Sequence, residues 1–152
     1  MNHKAVKLQI ELVPKTSWGN NLRRAIPSKE WDEIRKTCYA QYNHQCAVCG
    51  FQGRLSCHEI WDYDDLGHIQ KLIGFIALCD MCHHVKHMGR AGIRAAEGKL
   101  DFNRLIEHYM AVNHCSRDDF KQHKAEAFSE WRERSRHEWK VDLGTYQDFV
   151  KK

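Results

Sequence analysis

Val6, Leu8, Ile10 and Leu12 alternate with polar neighbours in VKLQIELV, the period-two signature of a strand that Pro14 would end. TSWGNNLRRAIP then reads as a loop or short turn. Past Pro27, Ser28 is placed to cap a helix running to about Tyr42, with Trp31, Ile34, Cys38 and Tyr42 on one face. On that face Cys38 is a small core residue rather than a ligand. From Gln45 to about Gly92 helical periodicity fades and Cys, His, Gly and Asp accumulate. There RLSCHEIWDYD opens like a strand, LIGFIAL suits a buried strand, and a helix is expected from near Cys82 to around Gly89.

The remainder reads as helical. LDFNRLIEHYMAVN sets Phe102, Leu105, Ile106 and Tyr109 at helical spacing. Ser116 with Asp119 forms a capping pair for a second helix reaching about Arg136, and RSRHEWKVDLG is expected to leave that helix as an extended piece. Three units follow: an N-terminal strand and helix (1–44) packed on a central domain (45–95), and a C-terminal helical extension (96–152). The class is α+β.

Composition sharpens this. Seven cysteines, four of them in two C-x-x-C pairs, stand in a chain whose start carries no apolar signal region. A cytoplasmic, reducing setting is therefore expected, where such pairs read as metal sites rather than disulfides. No run of about 18 apolar residues exists, so no membrane span is expected. The net charge of +4 is mild and fits an anionic partner such as nucleic acid.

Cys46-Ala-Val-Cys49-Gly50 and Cys79-Asp-Met-Cys82 have the form of two zinc knuckles. Two intervening residues let both sulfurs of a pair reach one tetrahedral ion, and a closed four-sulfur shell is structural because it leaves no open position. The histidines need another explanation. On a helix starting near Cys82, His83 and His87 project from one face and can chelate a second metal, whereas His84 points about a hundred degrees away. SCHEIWDYD supplies further groups, with Cys57 and Glu59 on one face of the strand and His58 and Ile60 on the other.

C-x-x-C-G, a histidine-bearing strand, and L-C-x-x-C-H on a helix together resemble an HNH endonuclease of the zinc-ribbon type over roughly residues 45–90. The resemblance implies a ββα-metal (His-Me finger) core clipped by a four-cysteine zinc site, with flanking helices. It also implies one divalent catalytic metal (Mg²⁺, Mn²⁺, Ni²⁺ or Zn²⁺) and hydrolysis of a DNA phosphodiester. His58 matches the general base of that family, and His83 and His87 match its metal ligands. Where the family has a ligand before the strand histidine, this chain has Cys57. Either Cys57 fills that slot, or the register shifts so that His58 is the ligand and Glu59 the base. The family's middle Asn has no counterpart between Cys57 and Cys79. Asp64, Asp65, His68 or Gln70 are the available substitutes. The alternative is a catalytically inactive relative that binds nucleic acid or inhibits a partner protein. Around the expected site Arg54, Lys86, Arg90 and Arg94 are candidate phosphate contacts.

Overall fold

The computed structural model describes residues 6–150. Its centre is a long antiparallel hairpin, β1 (Leu55–Asp64) and β2 (Ile69–Cys79), joined by a turn in which Asp64 Oδ1 accepts from the amides of Leu66 and Gly67. The pairing runs from Leu55 opposite Cys79 to Asp64 opposite Ile69, with an irregularity at Ile60/Trp61. A short β3 (Lys140–Asp142) adds to β2 in parallel, so β2 is the middle strand. The extended piece expected after the last helix thus finds a sheet partner.

Two apolar clusters lie against the sheet. One joins α1 (Leu22–Ala25) and α2 (Ser28–Gln41) to Leu72, Phe75, Trp61 and Leu143. The larger cluster gathers Leu78, Val85, Met88, Leu105, Tyr109 and Phe120 around the second cysteine pair. It is built from α3 (Asp80–Lys86), α4 (Met88–Ala96), α5 (Phe102–Asn113) and α6 (Arg117–Arg134). Complete burial of Leu78 and Leu105 contributes about 1.5–3 kcal/mol for each side chain. The expected capping pair is present: Ser116 Oγ accepts from Asp119 N, and the Asp119 carboxylate accepts from Ser116 N. α2 begins at Ser28 itself, after Pro27, with no side-chain cap.

The N-terminal strand is not formed. Residues 6–13 carry no regular structure and bend at Lys7 and Leu8, but their apolar positions are used, Leu8 and Ile10 being buried. Side chains, however, take the place of a neighbouring strand. Asn113 accepts from Leu8 N at 2.8 Å and donates to Leu8 O at 3.0 Å. His123 Nε2 accepts from Ile10 N at 2.9 Å, and Lys86 O accepts from Glu11 N at 3.0 Å. The segment is a strap bound to α5, α6 and α3 by fixed polar groups, which satisfies buried amides as a strand ladder would.

Candidate functional site

The helix after the second knuckle starts earlier than its expected position. Asp80 opens α3, and Cys79 caps it, its sulfur accepting from Cys82 N at 3.5 Å. Across from it Cys46 N donates to Phe51 O and Gly50 N to Cys46 O, both at 2.9 Å. Gly50 adopts φ +79°, a left-handed turn that a side chain disfavours. Ala47 N bonds Ala77 O at 2.9 Å and fastens this knuckle to β2. Cys46, Cys49, Cys79 and Cys82 consequently bring their sulfurs within 4.8 Å of one another, a set that could hold a metal ion. Cys49 and Cys79 approach to 3.6 Å, and Cys49 is the most exposed of the four.

The crowded sulfurs shift one another's ionisation. Hydrogen bonds from Cys79 and Cys82 push the Cys46 thiol down. Hydrogen bonding to Cys46 pushes Cys79 up to about 11, and hydrogen bonds to Cys46 and Cys79, together with burial, push Cys82 up too. One thiolate is welcome there; four together would need a positive ion at their centre, and tetrahedral sulfur ligation suits zinc or iron. His108 on α5, which spacing did not single out, stands 3.2 Å from Cys82 Sγ through Nε2. Such an outer partner orients and stabilises a ligating sulfur.

A second convergence lies one turn along. His58 from β1, His83 from α3 and His87 from the α3–α4 junction bring one ring nitrogen each within 4.8 Å of the others. Their ring centres are 4.7 Å apart for His83–His87, 5.0 Å for His58–His87 and 5.5 Å for His58–His83. His87 is not on a continuous helix. It caps α3 with φ −98° and ψ 55°, and α4 restarts at Met88. The turn between them still carries the His87 N–His83 O bond at 3.1 Å, which keeps the two imidazoles together. Burial, followed by the charges of its neighbours, lowers His83 to about 3 and His87 to about 4. Both are neutral at pH 7 and free to donate lone pairs to a cation.

The strap supplies the group nearest His58. Glu11 Oε2 lies 3.2 Å from His58 Nε2, and Glu11 Oε1 lies 2.7 Å from Lys86 Nζ. Burial works to raise the Glu11 carboxyl, but hydrogen bonds from His58 and Lys86 and the charges of both outweigh it and hold it at about 2. An ionised carboxylate only accepts, so His58 Nε2 carries the proton it shares with Glu11, and in the neutral ring Nδ1 is the nitrogen with the lone pair. None of Asp64, Asp65, His68 and Gln70 reaches His58. Asp64 caps the hairpin turn, Asp65 pairs with Arg134, His68 stacks on His137, and Gln70 bonds Ser17.

Several expected residues lie elsewhere. Cys57 is outside the imidazole cluster, because strand alternation turns it to the α2 side, where it hydrogen-bonds Cys38. That bond and burial push its thiol up, so it is a poor ligand. Glu59 shares that face and accepts from Leu22 N at 3.1 Å, which removes it as a base. Lys86 is 6% exposed and bound to Glu11, so it is an internal cation rather than a surface contact for phosphate. Arg54 and Arg90 are exposed, Arg90 at the edge of the histidine cleft. Arg94 is half-buried with Nε unpaired among the described residues.

His58, His83 and His87 open into a cleft of about 930 Å³ that also reaches Trp18, Arg23 and Trp131. Among the described residues no helix is long and apolar enough to cross a membrane. No protein-family model, curated protein or solved structure matches this chain.

Proposed function

We propose that this protein is a metal-dependent endonuclease of the HNH type, hydrolysing phosphodiester bonds in DNA, with a structural zinc on Cys46, Cys49, Cys79 and Cys82. The observation that carries the reading is the meeting of three imidazoles from separate elements in one cleft, beside the sulfur cluster. The hairpin followed directly by a helix supports it, since this is the order a ββα-metal core requires. So does the neutrality of His83 and His87, which suits them to hold a divalent cation.

A cation bound there supplies charge neutralisation at the scissile phosphate and the leaving oxygen. The chain's own residues do the rest. His58 Nδ1 takes a proton from the attacking water, whose oxygen bonds to phosphorus as the ester P–O bond breaks, and the leaving oxygen is protonated from solvent. Glu11 fixes the His58 ring and tautomer, the orienting task for which the chain has no middle Asn. Lys86 keeps Glu11 ionised. Arg90 at the cleft edge contributes sequence-independent attraction to phosphate.

A second reading has a specific observation behind it: the His58 nitrogen is as close to His83 and His87 as a third ligand would be. Supercoiled plasmid incubated with Mg²⁺, Mn²⁺ or Ni²⁺ beside a His58→Ala variant separates the possibilities. With His58 as base, nicking is lost and two ions per chain remain. With His58 as ligand, the second ion is lost as well. Retarded but uncut DNA in the unaltered protein identifies an inactive binder.

A further inference from the structure

The cleft carries aromatic surface that hydrolysis itself does not use. Trp18, just after the strap, is 60% exposed, an unusual state for so large an apolar side chain. It is nevertheless held in place. Trp18 Nε1 donates to Val13 O at 2.8 Å, and Trp131 Nε1 of α6 donates to the same oxygen at 3.0 Å. The two indoles stack with centres 6.2 Å apart and planes 21° from parallel, and Phe128 packs edge-on against Trp131. Gly19, at φ +87°, turns the chain directly after Trp18. Both N–H groups are thus consumed internally, and a pre-positioned π-face is left towards solvent in the cleft that holds the three histidines.

Charge in the cleft points to the occupant. Of the four glutamates lining it, Glu11 is bound by Lys86, Glu130 by Arg134, Glu59 by an amide and Glu126 by the Gln122 side chain. Arg23 and Arg90 line the same cleft and make no ion pair among the described residues. A flat apolar face with unpaired guanidinium groups nearby matches a nucleobase on its phosphate backbone, and every base has a π-face to offer. A duplex keeps its bases stacked inside and presents none.

We propose that the Trp18–Trp131 pair is a stacking platform for an unpaired base, and that the cleft takes single-stranded nucleic acid. This rests on the endonuclease reading for the chemistry, not for the binding. The test is fluorescence anisotropy of a labelled dT₁₂ strand and of a blunt 12-base-pair duplex, with zinc-loaded protein and no other divalent ion. Wild type binds the strand more tightly than the duplex. Trp18→Ala weakens strand binding on the order of 10- to 100-fold, Trp18→Phe recovers most of the loss, and duplex binding changes less than about twofold.

Equal affinity for strand and duplex, or a Trp18→Ala variant that binds the strand as wild type does, overturns the platform. Thermal unfolding of Trp18→Ala close to wild type shows that any loss is local. If Trp18→Ala melts early, Trp18→Phe carries the test, and failure of that variant to bind the strand better than Trp18→Ala overturns the platform too. Cleavage of plasmid and of the labelled dT₁₂ strand with Mg²⁺, Mn²⁺ or Ni²⁺ reads the other proposal separately. A working platform with neither substrate cut removes the hydrolase alone, whereas cleavage with no Trp18 effect on strand binding removes the platform alone.

Discussion

Replacing Glu11 by Gln tests how the strap and the histidine cluster depend on each other. The substitution keeps the shape and removes the charge between Lys86 Nζ at 2.7 Å and His58 Nε2 at 3.2 Å. A hydrogen bond to a charged group contributes about 1.5–3 kcal/mol, and stranding one buried member of an ion pair costs about 3–5 kcal/mol. The Lys86 side chain is 8% exposed, but that of Glu11 is 41% exposed, so water recovers part of the loss and the lower range applies. The expected destabilisation is about 2–3 kcal/mol, or a fall in Tm of about 4–12 °C for a chain this size. Urea unfolding of the zinc-loaded protein measures it. The companion is Glu11→Gln with Lys86→Met, which removes both partners and should recover at least half of the loss, since an apolar pair of similar shape is tolerated. A single variant within about 0.5 kcal/mol of wild type, or strictly additive single and double variants, would refute the coupling.

Three further outcomes are expected. His108→Ala should lower zinc affinity about 10- to 100-fold while the fold persists, read by competition with a chromophoric chelator. Acid should destabilise the protein through His83 and His87. Their folded values lie near 3 and 4 against an ordinary 6.5, so between those limits the unfolded chain binds more protons. Their contribution is complete above about pH 6.5 and is lost progressively as pH falls towards 4 and then 3. Urea midpoints at pH 7 and 5 should therefore diverge less in a His83→Asn, His87→Asn double variant. Asn113→Ala should release the strap at Leu8, seen as faster amide exchange over residues 6–13, with the sulfur cluster unaffected.

What could be read from the chain alone was what is local. Two residues between cysteines and three between His83 and His87 constrain geometry whatever surrounds them, so the sulfur set and two of the three histidines were visible. His58 was singled out by the resemblance to HNH endonucleases, and strand alternation placed Cys57 and Glu59 on the face opposite to it. Glu11 was invisible because its partners lie far along the chain, and period-two spacing marked it only as the outward side of a strand. That spacing reports an extended backbone, not what pairs with it; here side chains of Asn113 and His123 replaced a strand. The end of α3 at His87 falls two residues from the expected end near Gly89, but nothing in the local spacing showed that a new helix, α4, restarts at once at Met88.

The strap also sets an order of assembly. By the time Cys82 has been synthesised, the sulfur cluster has every member it needs. Leu8 and Ile10, made long before, have nothing to hold them until Asn113 and His123 emerge. On a growing chain the two cysteine pairs can meet first, and the groups that hold the strap carrying Glu11 arrive only near the end of synthesis. The cleft is completed last, by the segment that was made first.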